Sequence, residues 1–509
     1  MKLFLRRNSP VLYMMLAMVV LYAPWMGRGY VNFEYPFSMA ARALSDSRYA
    51  GQIDTYFAVQ ANPLGYSFVL AIIYKIFGYH DWFWLAKLPS LCGSLMIIVS
   101  GWLLTRDRWQ SRREFFYFWS SLMILNPLFS AFATSSTADV LHIGLLMLSI
   151  AIAHEDRNNS WVKPFIVGLV FGLAVITKFI PLFFGFAFVA IAFLKKNGEK
   201  RPVRLSGRDI SIYLLVPGSI LLAYIWWLYT SYSVFVSRGL GPSKIDFSFK
   251  IVLITLGKYL MFLGLCCGPV SVLILFKNCK RIKEIFLACV LLLVAVVVGN
   301  YLSSIYLKEM GFAVGFPIGI VVSRFLEIGG FVFGVVVCLV FLKLLNSADR
   351  LEKLLYAGIF PTLLAMSLTI PRQRYIMVLV PAVLILLVDA SGVLTAKSCR
   401  LMFGVTAFGF AAVSLLGLSY LRAQGNAAEN MAVWMEENGV IRQVSAGVIS
   451  MHAGQHFYGI GSSDVKYDII STPLRGEKLI QGRILHREPM NVLGKITRVY
   501  VLRELPKVP

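Results

Sequence analysis

The sequence predicts an all-α polytopic membrane protein with about 13 transmembrane helices, a helical first outer loop at the interface, and a small C-terminal α/β domain. Three observations lead there. Charged residues make up 15% of the 509 and hydrophobic ones 58%, whereas a soluble domain carries about 25% charged residues. Runs of roughly 18 or more apolar residues recur along the chain, each long enough to cross a bilayer as a helix. Basic residues gather in the short connections between those runs, the pattern that marks cytoplasmic loops. The net charge of +23 is therefore accounted for by topology, and nucleic-acid binding is a poor reading of it. Lipid offers no partner to open strand edges, so the spans are helices.

The first span, 10–27, follows Lys2, Arg6 and Arg7. No small-residue cleavage site follows it, so it is expected to be a retained helix rather than a signal peptide. The first outer loop, 28–82, contains an amphipathic stretch from Pro36 to Leu44 and an apolar one from Leu64 to Phe77. The second is too short to cross; if it did, the cluster Arg106, Arg108, Arg112 and Arg113 would fall outside. It is expected to lie along the outer surface, with Arg42 at the same interface. Further clusters at Lys195–Arg208, Lys277–Lys283, Arg350 with Lys353, and Lys397 with Arg400 make the intervening spans come in pairs. The expected spans are 83–105, 114–134, 139–154, 161–177, 179–194, 210–229, 251–276, 284–302, 326–345, 354–370, 375–391 and 401–420. The amino terminus is then inside and the C-terminal part outside. Residues 1–420 form the membrane domain. Residues 421–509 are more charged and read as an α/β appendage, with a helix from Asn426 to Glu437 and strands at Val444–Ser450 and Val499–Leu502. The seven cysteines lie in spans or inner loops, at no zinc-site spacing, and imply no disulfide framework.

This topology places Glu34, Asp54 and Asp139 on the outer side, together with Lys178, Arg238, Arg372, Arg374 and Tyr375. Carboxylates in and near spans are costly to keep and are functional candidates by default. Carboxylates beside several cations at a lipid–water boundary suit a phosphate-linked donor: Arg and Lys hold the phosphate, and a carboxylate deprotonates an acceptor for attack on an anomeric carbon. Each residue has a plainer reading beside this one. Glu34 is solvated just beyond the membrane; Asp139 caps a helix; Lys178 snorkels from a span end; Arg238 is an ordinary loop charge. Tyr66 and Tyr375 belong to an aromatic belt, and His142 is a polar group between helices. The sequon at Asn158 falls in an inner loop and is discounted. No Walker A loop, nucleotide-binding glycine motif or HExxH is present.

Several segments occur in a telling order. The first loop carries Phe33-Glu34, Phe37 and Arg42, then Ala61-Asn62-Pro63-Leu64-Gly65-Tyr66 and Ile76-Phe77-Gly78. Trp84-Leu85-Ala86-Lys87-Leu88-Pro89-Ser90 and Thr137-Ala138-Asp139-Val140 follow. Gly168, Gly172-Leu173-Ala174-Val175-Ile176-Thr177-Lys178, and Pro371-Arg372-Gln373-Arg374-Tyr375 with Pro381 complete the series. Together, over roughly 10–400, they resemble the GT-C membrane glycosyltransferases that use polyprenyl-phosphate sugars, and among these the protein O-mannosyltransferases and lipid A aminoarabinose transferases. That family opens its first loop with an Asp-Glu pair; here the Asp position is Phe33, so either Glu34 takes the base role or Asp54 does. The family's loop lysine is Ala61 here, so Arg238 is the first choice for the donor phosphate, with Lys178 and Arg372 next and Arg374 beside them.

The resemblance implies transfer of a sugar, with inversion, from a polyprenyl-phosphate donor to a lipid, glycan or protein acceptor at the outer face of a bacterial cytoplasmic membrane. Glu34 and Asp139 are the expected catalytic acids; Arg42, Asp54, Tyr66 and Tyr375 are expected to line the substrate cavity. Relatives differ in metal use, so no cofactor is certain and Mg or Mn stays open, with no tight site expected from a single-acid pair. The expected partners are the lipid-linked donor, the acceptor and membrane lipids, and not nucleic acid. The rival readings are a polysaccharide polymerase, whose large charged outer loops are expected in mid-chain, and a lipid-linked sugar flippase, whose spans are expected to carry charge along a central path.

Overall fold

The computed structural model describes residues 2–30, 34–59, 62–78, 83–109, 113–155, 161–193, 207–234, 249–278, 320–345, 350–368, 373–391, 397–439, 467–473, 483–492 and 495–504. The expected span 284–302, the expected strand 444–450, Arg238 and Arg372 lie outside the described residues. Helix α1 (Lys2–Met26) leads into the first loop, which folds as three helices: α2 (Tyr35–Ser45), α3 (Gln52–Val59) and α4 (Gly65–Phe77). Then come α5 (Phe83–Trp109), α6 (Arg113–Ile124), α7 (Pro127–Ala133), α8 (Ala138–His154), α9 (Val162–Thr177), α10 (Pro181–Phe184) and α11 (Phe186–Phe193). Among the described residues the further α-helices are α12 (Gly207–Tyr232), α13 (Phe249–Asn278), α14 (Ile320–Leu345), α15 (Arg350–Ser367), α16 (Val380–Ser391) and α17 (Lys397–Glu437).

Among the described residues, four helices are long and apolar enough to cross a membrane: Ser9–Met26, Phe83–Asp107, Ile212–Tyr232 and Phe403–Met435. The expected spans 139–154 and 161–177 are present as α8 and α9, of 17 and 16 residues, somewhat short of the ~20 a straight crossing needs. Two expected spans are broken. The one at 114–134 bends by 68° between α6 and α7, because Pro127 cannot donate to the ladder. Asn126 restarts the helix: its side-chain oxygen accepts from the amides of Leu128 at 3.1 Å and Phe129 at 3.2 Å. The carbonyls freed at the break find Tyr22 Oη (2.7 Å to Ile124) and Ser414 Oγ (2.7 Å to Leu125). Asn126→Ala removes the cap and is expected to cost about 1 kcal/mol, read as a lowered unfolding temperature in detergent. The span at 179–194 is likewise divided, into α10 and α11 around Gly185.

Helices α5 and α8 form the centre. Gly93 and Gly144 meet where they cross: a Cβ on Gly93 would lie 2.6 Å from Leu141 Cα, and one on Gly144 2.4 Å from the Gly93 carbonyl. Backbone-to-backbone contact through small residues is how helices associate where lipid supplies no hydrophobic drive. Helices α13 and α14 use the same device, with Gly264 against Gly330 and Gly334. Around these pairs run large apolar side chains that face outward, such as Leu215, Leu222 and Trp226 on α12 and Val405 and Phe408 on α17.

The first loop has a core of its own, built on Phe37, Tyr56, Tyr66, Leu70 and Tyr74. Helix α4 buries one face and exposes Ile72, Ile76 and Phe77 on the other. Arg42, expected at the interface, is instead buried at 7% exposure, because α2 turns inward over Tyr30 and Tyr74. The tail also differs from expectation. The last span and the appended helix are one uninterrupted 41-residue helix, α17. The sequence between them, Leu421-Arg-Ala-Gln-Gly425, carries no proline, and Gly425 is where α17 packs on the backbone of Gly29. Beyond it lies an antiparallel sheet of β1 (Tyr467–Pro473), β2 (Ile484–Val492) and β3 (Lys495–Glu504) in the order β1-β3-β2, with Ile470 opposite Val501 and Pro489 opposite Val499. The expected strand 499–502 is the middle of β3. The end of α17 packs on β2, where Trp434 stacks on His486 at 4.3 Å.

Candidate active site at the first-loop end of the bundle

The C-terminal end of α1, the N-terminal ends of α5 and α8, and the C-terminal end of α9 meet beneath the first loop. The opposite end carries Arg106, ion-paired with Glu155, and Trp109, which donates to Asp389 at 3.0 Å. The end with the first loop is thus the one away from the Arg106–Arg113 cluster.

Residues Thr134-Ser135-Ser136-Thr137 link α7 to α8 and are all buried. Both sequence-predicted acids converge on this turn. Glu34 is fully buried, not solvated. Its Oε1 accepts from the Ser136 amide at 2.8 Å, and both its oxygens accept from Arg28, at 2.6 and 3.1 Å. Asp139 sits just past the turn, in the first helical turn of α8, where the helix dipole favours negative charge. It is not the cap; that position is Thr137, and no side-chain capping bond forms there. Instead Asp139 is ion-paired with Lys178, and Arg374 lies 3.8 Å from its other oxygen. Asp139 and Lys178 are 2% and 3% exposed, so two cations converge on one buried carboxylate.

Local sequence explains how these cations arrive. Helix α9 ends at Thr177, whose hydroxyl donates to Leu173 O at 2.7 Å. Lys178 then takes an extended conformation (φ −161°, ψ 138°), and Pro181 starts the next helix. The first loop is seated on this exit: a Cβ on Gly65 would lie 2.7 Å from the Thr177 Cα. Arg374 and Tyr375 lie in the 3₁₀ turn Gln373–Val378, which precedes α16. The Tyr375 ring is a platform for both cations, with Lys178 Nζ 4.6 Å and the Arg374 guanidinium carbon 5.9 Å from its centroid. This face-on placement is the favourable cation–π arrangement.

The other expected residues fall elsewhere. Asp54 is exposed on α3, near Tyr232. Tyr66 is buried in the first-loop core, where its hydroxyl donates to Ala86 O at 2.7 Å; burial raises its pKa, so it stays a donor. Arg42 is buried on α2, near Tyr30. His142, one turn beyond Asp139, is buried with Nδ1 2.8 Å from the Ala138 carbonyl, the intrahelical bond of a core histidine.

Three groups that frame the turn escaped sequence reasoning as site residues. Arg28 joins Glu34 and also donates to Ser135 Oγ at 2.8 Å. Lys87, fully buried, donates to Met26 O at 3.0 Å and to Arg28 O, closing the end of α1. Ser90 donates to the carbonyls of Ser135 at 2.6 Å and Thr137 at 3.1 Å. A signal existed: on the topology expected from the sequence, Arg28 and Lys87 are cations at the outer ends of spans, against the usual charge bias. Among the described residues no group of three or more His, Cys, Asp or Glu gathers that would hold a metal. Asp139, neutralised by Lys178 and Arg374, is a poor ligand for a divalent cation.

No protein-family model matches the chain, and no curated protein matches it. Among solved structures the chain is similar to ArnT from Cupriavidus metallidurans bound to undecaprenyl phosphate, at 12% identity and a TM-score of 0.47 over 97% of this chain and 98% of that one. It is also similar to the Archaeoglobus fulgidus oligosaccharyltransferase tethered with an acceptor peptide containing the NVT sequon, at 13% identity and a TM-score of 0.44 over 92% of this chain and 69% of that one.

Proposed function

We propose that the chain is a membrane glycosyltransferase that moves a sugar from a polyprenyl-phosphate carrier to a nucleophilic acceptor at the outer face of a bacterial cytoplasmic membrane. The observation that carries this reading is the convergence of Lys178 and Arg374 on Asp139 under the first loop. In the reaction the acceptor's O–H or N–H proton passes to Asp139, and a bond forms from the acceptor atom to the anomeric carbon. The bond from that carbon to the phosphate oxygen breaks, and its electron pair stays on the phosphate. Lys178 and Arg374 stabilise the charge that develops there, the larger electrostatic contribution, with Arg374 able to grip two oxygens at once. Tyr375 fixes the direction of both cations. Glu34 has both oxygens held in hydrogen bonds by Arg28 and Ser136, whereas Arg374 stands 3.8 Å from the second oxygen of Asp139, beyond hydrogen-bond distance, which favours Asp139 as the proton acceptor.

The test is transfer from radiolabelled polyprenyl-phosphate sugars by purified protein in detergent. Lys178→Gln is expected to weaken undecaprenyl phosphate binding by about tenfold or more, as the loss of a charge-assisted contact requires. Unchanged lipid binding and unchanged transfer in Lys178→Gln and Arg374→Gln together would refute this assignment.

A further inference from the structure

We infer that Arg28 and Glu34 are positioning residues, a buried ion pair that sets the 134–137 turn and through it the placement of Asp139. The inference rests on the reading of Asp139 as proton acceptor given above. The pair bonds to the turn at successive residues. Arg28 donates to Thr134 O at 3.3 Å and to Ser135 Oγ at 2.8 Å, and Glu34 accepts from the Ser136 amide at 2.8 Å. On the other side Ser90 holds the carbonyls of Ser135 and Thr137. Asp139 follows two residues later on a helix whose cap makes no side-chain bond, so the start of α8 is aimed by these contacts rather than by its own cap. Lys87 in turn holds the Arg28 carbonyl, and the neighbouring Gly29 backbone packs on Gly425 of α17. The turn is thus tied to α1, α5 and α17 at once. Arg28 and Glu34 have fully buried side chains, and all four oxygen and nitrogen atoms of their mutual contact lie within hydrogen-bond distance. Removing one partner strands a charge in the interior, whereas removing both does not.

That asymmetry separates a positioning pair from a proton-accepting Glu34. The variants are Glu34→Gln, Arg28→Gln and the double variant Arg28→Gln/Glu34→Gln, each purified in detergent with undecaprenyl phosphate as the binding probe. Either single variant is expected to lower kcat by about a hundredfold while leaving the Kd for the lipid within about threefold, the split expected when only the reacting geometry moves. The double variant is expected to regain at least about tenfold over Glu34→Gln, the coupling of a buried charge pair. A double variant as inactive as Glu34→Gln, with both folded, makes Glu34 the proton acceptor and overturns the inference. Hydrogen–deuterium exchange of the 134–140 segment gives a readout independent of activity. Exchange at Ser136 is expected to rise in Arg28→Gln and Glu34→Gln, and to return toward the wild-type rate in the double variant. Unchanged exchange in the single variants overturns the inference. If the wild-type protein transfers no sugar from any polyprenyl-phosphate donor yet the exchange pattern is as expected, the pair's hold on the turn stands and the enzymatic reading is what fails.

Discussion

Asp139→Asn is expected to abolish transfer while tightening the grip on undecaprenyl phosphate. The substitution keeps the shape of the side chain and removes one negative charge from a buried position beside Lys178 and Arg374. Loss of a general base lowers kcat by about a hundredfold to ten-thousandfold. In the proposed reaction the lipid phosphate competes with that carboxylate for the same two cations, so it meets less repulsion in the variant. Unit charges about 6 Å apart at an effective dielectric of about 20 interact by about 3 kcal/mol. Even partial relief of that repulsion tightens binding by about tenfold, since 1.4 kcal/mol is one decade. The measurement is titration of detergent-solubilised protein with undecaprenyl phosphate, alongside the transfer assay. Weaker lipid binding in Asp139→Asn would place the phosphate away from Lys178 and Arg374.

The second large effect is structural. Gly93→Leu is expected to prevent assembly of the central helix pair. A first side-chain carbon at this position already lies 2.6 Å from Leu141 Cα and 2.7 Å from Val140 O, and backbone cannot yield as a flexible side chain does. Small-to-large changes in tight cores cost about 1–3 kcal/mol when neighbours can repack; here α5 and α8 must separate, so the cost exceeds that range. The site suffers as well, because Ser90 lies one turn before Gly93 and holds the Ser135 and Thr137 carbonyls. The expected result is a collapse of the monodisperse peak in detergent chromatography. Any surviving fraction is expected to bind undecaprenyl phosphate poorly. Full yield with normal lipid binding would mean that α5 and α8 do not cross as described. Gly264→Leu, at the α13–α14 crossing, is the companion variant: there a Cβ would lie 1.9 Å from the Gly330 carbonyl.

Much of the frame was legible because its signals are local. Apolar runs mark helices, the Arg106–Arg113 cluster marks the end of the bundle away from the first loop, and a short apolar stretch marks α4. The ordered segments around Glu34, Asp139, Lys178 and Arg374 named four residues that the structure gathers at the first-loop end of the bundle. Where the reading failed locally, a competing local force had been underweighted. Asn126-Pro127 broke a span by capping a new helix, and an unbroken run of helix-compatible residues fused the last span to the tail helix.

The sequence by itself thus determined the class of the protein, the course of most described helices, and which charged residues stood at the first-loop end of the bundle. Only the tertiary structure decided their partners. Arg28 reaches Ser135 across 107 residues, Glu34 reaches Ser136 across 102, and Lys178 reaches Asp139 across 39. Periodicity and charge bias record how a residue suits lipid or water, a property of its own neighbourhood. Which acid is locked by an arginine, and which stands between two cations, depends on helices that contacts such as Gly93 with Gly144 bring together from distant parts of the chain.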